Sequence, residues 1–151
     1  MDWMLMPLRK YAQFTGRSRR KEFWMFALLN IMVYVVVFAL MFATSGASSF
    51  ANLDSGNVLA AYSAMFSGVG LLLAVWALAV IIPSIAVTVR RLHDRDMSGW
   101  WYLGFIVASM IPLIGFIASI AFLVLMCLPG TPGPNRFGPD PKDPSGAEVF
   151  S

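Results

Sequence analysis

Three long apolar runs dominate this chain. Between Phe23 and Val89 the only charged residue is Asp54, and between Trp100 and Asn135 there is none. Residues 23–43, 65–89 and 100–128 are almost continuously apolar. Each run reaches the roughly 20 residues that carry an α-helix across a hydrocarbon layer about 30 Å thick. A segment in lipid has no water to satisfy its amides, so it must close its hydrogen bonds internally, as a helix does. The pattern predicts an all-α integral membrane helical bundle with three transmembrane helices, forming one membrane domain over residues 1–151. Residues 1–22 form a short amphipathic lead-in, with Met4, Leu8 and Tyr11 at helical spacing and Trp3 and Phe14 adding aromatic surface. Such a segment suits the membrane interface, and Pro7 is expected to confine any helix to its carboxyl side unless it occupies the first turn.

The third run differs from the other two. Residues 100–128 as one helix measure about 43 Å at 1.5 Å per residue, too long for one upright crossing and too short for two. Pro112 and Gly115 lie near the middle, so the run is long and kinked, or re-entrant near Pro112. A single kinked span is expected, because non-helical backbone at membrane depth needs cover from protein or water. The connecting segments read differently. Residues 44–64 begin with a stretch rich in Ser, Gly, Ala and Asn, which predicts a flexible loop. Residues 129–151 form a Pro/Gly-rich tail that resists regular helix.

Charge adds a direction. Arg9, Lys10, Arg17, Arg19, Arg20 and Lys21 precede the first run, and Arg90, Arg91 and Arg95 fall in the 90–99 loop, whereas residues 44–64 carry no Lys or Arg. Short basic loops stay in the cytoplasm, so the amino terminus and the 90–99 loop are expected there and the 44–64 loop outside. The composition agrees, at 58% hydrophobic and 13% charged, against about 25% charged in soluble domains. A net charge of +3 carried at the flanks of apolar runs points to lipid headgroups and topology, not to nucleic acid. The first run, which starts after Glu22, is longer than the roughly 7–15 residues of a secretory signal's apolar stretch, so it reads as a retained span. The lone Cys127 reads as a small apolar side chain.

The candidate chemistry is sparse. Asn30, Ser84, Thr88 and Ser109 lie inside the apolar runs, and an amide in hydrocarbon must find a partner, so a hydrogen-bonded intramembrane layer is expected among them. No acidic or basic side chain sits within a span, which argues against an ion-coupled pathway. Glu22 is expected to pair either across helices with Arg90 or Arg91, or locally with Arg19. Residues 90–96 are the densest polar stretch, yet one His and two Asp make a poor metal site and offer no evident nucleophile. The basic side chains there suit helix termination, membrane anchoring or contact with a headgroup phosphate. Ala60, Ala64 and Gly68, then Gly104 with Ala108 and Gly115 with Ser119, repeat small residues at the spacing that lets membrane helices approach closely.

Three stretches together resemble a known family. Residues 14–24, running from Phe14 through Arg17, Arg20 and Glu22 to Trp24, with Asn30 beyond, form the first. Arg90-Arg91-Leu92-His93-Asp94 followed by Ser98-Gly99-Trp100-Trp101 form the second. Pro112, Gly115 and residues 130–141, including Asn135, Arg136 and Asp140, complete the set. The chain resembles the YhaH/YhaI-like bacterial inner-membrane proteins, called domain of unknown function 805. The resemblance implies a multi-pass inner-membrane bundle and carries over no catalytic, metal or cofactor residues. It also gives weight to Arg17, Arg20, Glu22, Arg90, Arg91, His93, Asp94 and Arg136 as one polar or headgroup-binding cluster, which forms only if the tail folds back to the amino-terminal side. The functional expectation is a non-enzymatic scaffold whose basic face meets anionic lipid or a membrane-protein partner, with no cofactor. Solute permeation through a homo-oligomer is the first alternative. An enzyme acting on a lipid phosphate through Arg90, Arg91 and His93 is the second.

Overall fold

The computed structural model describes residues 2–54, 57, 59 and 68–143, with side chains outside 44–54. Five helices are present among them: α1 (Asp2–Arg9), α2 (Arg20–Asp54), α3 (Val69–His93), α4 (Trp100–Ser109) and α5 (Ile114–Cys127). The chain divides into two units, Met1–Phe26 with Ile82–Ser151, and Ala27–Ile81. Two helical stretches, Arg20–Ala43 and Val69–His93, are long and apolar enough to cross a membrane.

Three boundaries differ from the sequence reading. Pro7 lies inside α1, near its end, instead of opening it. The helix from the first apolar run does not stop at Ala43 but continues to Asp54, through residues expected to form a loop. That stretch holds no proline and one glycine, Gly46, and a single glycine costs a helix only about 1 kcal/mol against alanine. A helix already nucleated propagates through it. Ala60, Ala64 and the rest of the expected loop lie outside the described residues, apart from 57 and 59.

The third correction matters most. Residues 100–128 are not one kinked span but a helical hairpin, with α4 and α5 as its arms. At 1.5 Å per residue the arms measure about 15 and 21 Å, short of a roughly 30 Å core. Phe122 of α5 meets both Phe105 and Tyr102 of α4, at ring-centroid separations of 5.4 and 6.1 Å. The turn meets the polar cost that favoured a single span. The Ile114 amide donates to Pro112 O at 2.8 Å, Gly115 to Ile111 O at 2.7 Å and Ile117 to Leu113 O at 3.2 Å. A Cβ on Gly115 would stand 2.7 Å from Ser109 O, so this turn closes only around a residue without one.

Leu113 is the strained point. Its φ of 68° and ψ of −53°, bridged by the Pro112-to-Ile114 bond, are those of the rare form of the γ-turn, a conformation costing about 1–3 kcal/mol outside glycine. The side chain is 77% exposed and holds no packing in place. Leu113→Gly is expected to raise the melting temperature in detergent, by about 1 kcal/mol of stability. An unchanged or lowered melting temperature would show the turn to be unstrained.

Candidate functional site

Within the unit formed by Met1–Phe26 and Ile82–Ser151, three segments distant in sequence converge on Asp94. Its carboxylate is 2% exposed and stands at the end of α3, where Arg90, Arg91 and His93 complement the helix's negative pole. Arg17 approaches from the segment before α2 and donates through Nε to Asp94 Oδ1 at 3.0 Å. Its Nη2 lies 2.9 Å from the same oxygen. Arg91 donates to Asp94 Oδ2. One carboxylate thus joins two buried guanidiniums, the arrangement in which charge-assisted bonds are strongest.

The third segment is the tail, which the hairpin returns to this end. Asp94 O accepts from the Thr131 amide at 2.8 Å. Arg17 donates to Thr131 O and Gly133 O, each at 2.6 Å. Arg91 donates to Leu128 O, Arg20 to Cys127 O at 3.1 Å, Arg95 to Pro129 O and Arg19 to Pro141 O. The arginines therefore bind main-chain carbonyls of the tail and of the end of α5. Helix ends leave carbonyls without intrahelical partners, and the Pro-rich tail pairs only a few of its own, at Asn135, Gly138 and Asp140. Asn135 donates to His93 O at 2.9 Å, and its Oδ1 accepts the Phe137 amide at 2.9 Å. Asp140 is held below the usual carboxylate range because the Lys142 and Gly133 amides donate to it.

Gly130 shows how closely the tail is seated. A Cβ there would fall 2.0 Å from Asp94 Oδ2. Gly130→Ala is expected to push Asp94 off its arginines and to cost about 2–4 kcal/mol, in the range of strained or broken buried networks. Thermal unfolding in detergent measures this, and a loss below about 0.5 kcal/mol, ordinary for surface substitutions, would contradict the seating.

Glu22 takes the interhelical option. Its Oε1 lies 2.8 Å from Arg90 Nη1, with both side chains almost fully buried. The pair is close but poorly aligned, since no nitrogen of Arg90 makes a hydrogen bond. His93 Nδ1 lies 3.2 Å from Gly16 O, and its ring stacks on Phe137 at 3.9 Å and 4°. Arg136 sits at the edge, 3.2 Å from Asp96, and over the Phe137 ring. All eight residues expected to cluster lie in this unit. Sequence reasoning did not single out Thr131, Gly130, Gly133 or Phe137 individually. Thr131, Gly130 and Gly133 act mainly through main-chain groups and a missing side chain, and Phe137 through a ring stacked on His93, none of which residue type advertises.

Three of the four residues expected in the intramembrane layer show a side-chain hydrogen bond within their own unit. Asn30 Oδ1 accepts from Trp76 Nε1 at 3.2 Å. Thr88 bonds back to Ser84 O and Ser109 to Ile106 O on their own helices. A hydroxyl satisfied one turn back has no need of a neighbouring helix.

The matched family model, "Protein of unknown function (DUF805)", covers residues 11–139, from just before the Arg17 segment to the residue preceding Asp140. The chain belongs to the DUF805 family. It is 42% identical to inner membrane protein YhaH of Escherichia coli K12, over 94% of this chain and 98% of that protein. It is 38% identical to inner membrane protein YhaI of the same strain, over 94% and 97%. It is also 31% identical to the uncharacterized protein YiiR, over 86% of each. No solved structure matches. With its apolar helices and these relatives, this DUF805 chain is an integral membrane protein.

Proposed function

We propose that this protein is a non-enzymatic scaffold of the bacterial inner membrane, multi-pass with a cytoplasmic amino terminus, that binds lipid and membrane-protein partners through its apolar flanks. The supporting observation is where the basic side chains are directed. Arg17, Arg90 and Arg91 are 8%, 1% and 0% exposed, and they face Glu22, Asp94 and main-chain carbonyls. Groups committed in this way are poorly placed to receive a substrate phosphate, which weighs against the lipid-phosphate enzyme. Large apolar side chains such as Val35, Phe38 and Leu78, at 62%, 61% and 70% exposed, are available to lipid or to another helix. Trp24, Trp100 and Trp101 are also exposed, as suits an interfacial belt. The polar cluster then acts as a rivet that fixes the cytoplasmic ends of the helices and the tail.

Photoreactive side chains placed at Val35 and Leu78 in native membranes test the proposal. It predicts protein adducts of discrete mass, including a second copy if the partner is the same chain. It also predicts no solute flux when the pure protein is reconstituted in liposomes. Adducts to lipid alone together with measurable flux would replace this reading with permeation.

A further inference from the structure

Outside the arginine cluster, the same unit holds a groove of about 650 Å³ between the last turns of α3 and the first turns of α4. This lies within the roughly 300–1,000 Å³ of ordinary ligand pockets. Its lining changes along its length. Thr15, His93 and Ser98 form one end, and Ile85, Leu103 and Ile106 line the other. The polar end stands level with Arg90 and Arg91, the basic residues that close α3. The apolar end lies one to two helical turns further along both helices, toward the hydrocarbon. The groove therefore runs from the headgroup region inward, in the same sense as a phospholipid.

The walls are fixed before any ligand arrives. A Cβ on Gly99 would fall 2.8 Å from Val89 Cγ1, so the start of α4 sits directly on α3. His93 is held by its Phe137 stack and by Gly16 O, and Asp94 beside it is clamped by two arginines. A rigid, open groove at this depth is covered by the surrounding medium, and that medium is lipid. We propose that the groove is a built-in site for one bilayer phospholipid, with an acyl chain lying between Ile85, Leu103 and Ile106 and the glycerol-phosphate region at Thr15, Ser98 and His93. The Thr15 and Ser98 hydroxyls at the mouth fit donation to the ester and phosphate oxygens that all glycerophospholipids share, while His93, whose Nδ1 donates to Gly16 O, forms the wall beside them and Arg17, Arg90 and Arg91 are buried and turned inward. Selection for an anionic headgroup is not built in. This site refines the lipid-binding part of the scaffold proposal, and it moves lipid recognition away from the arginines.

The test uses the full chain, purified in mild detergent, stripped of lipid and titrated with dioleoyl phosphatidylglycerol or dioleoyl phosphatidylethanolamine, with retained lipid counted by native mass spectrometry. The wild-type protein should hold one phospholipid of either kind through detergent washing. Ile106→Trp fills the groove and should weaken retention at least about tenfold, equivalent to about 1.4 kcal/mol. Val107→Trp, on an exposed face one residue away, should retain lipid as the wild type does. Ile85→Phe plugs the groove from α3 and should repeat the loss if Ile106→Trp proves unstable. Equal retention by the plugged variants and Val107→Trp would overturn the site, as would several loosely held lipids with no tight one. Retention of phosphatidylglycerol alone would overturn the neutral-mouth assignment. Neither result touches the flux measurement, on which the scaffold reading stands or falls separately.

Discussion

Asp94→Ala is expected to destabilise the protein by about 3–5 kcal/mol, the cost of leaving buried charges without their partner. Asp94 is the single carboxylate shared by Arg17 and Arg91. Removing it strands two buried guanidiniums and creates like-charge repulsion between them. The tail should respond as well, because Arg17 reaches Thr131 and Gly133 only while Asp94 holds it in place. Thermal unfolding in detergent should show the loss of stability. Limited proteolysis should show new cleavage in residues 129–143, a region that ought to be protected in the wild type. Asp94→Asn keeps the shape and removes the charge, so it should fall between the two. A melting temperature within one degree of wild type for Asp94→Ala would mean that the cluster is decorative.

The second large effect concerns Glu22 and Arg90. Either Glu22→Met or Arg90→Met alone should cost about 3–5 kcal/mol, since each leaves one buried charge unopposed. The double variant should recover most of that loss and can exceed the wild type, because a well-packed apolar pair often replaces a buried ion pair at no net cost. The geometry sharpens this expectation. The two groups are 2.8 Å apart, yet no Arg90 nitrogen is aligned for a hydrogen bond, so the Coulomb attraction opposes desolvation with little directional help. A double-mutant cycle by thermal unfolding gives the coupling. Additive single losses would assign the burial of the two residues to unrelated causes.

Much of this arrangement can be read from residue type alone. Long uninterrupted apolar runs report membrane helices because hydrocarbon admits few other structures. Glu22 stands out because it is the one carboxylate among the basic residues before the first run. The third run misleads for a physical reason. Pro112 and Gly115 mark a break in either a kinked span or a hairpin, and the choice rests on whether the turn's amides are satisfied. Bonds from Ile114 to Pro112 O and from Gly115 to Ile111 O satisfy them, and no periodicity records such bonds. The arginines mislead in another way. As charges they suggest lipid headgroups, but most of their hydrogen bonds go to carbonyls of residues 126–141, and main-chain acceptors look alike at every position. Gly130 reads as one more loop glycine until Asp94 is placed beside it.

The hairpin returns the tail to the side of the membrane that holds Arg17 and Asp94. Two reporters fused after residue 151, one active only in the cytoplasm and one active only outside it, test this directly. With the amino terminus mapped to the cytoplasm by the same pair, the cytoplasmic reporter should be active at residue 151 and the external one silent. The reverse pattern, a tail outside with an amino terminus inside, would separate Arg17 from Thr131 by the full membrane and contradict the structure.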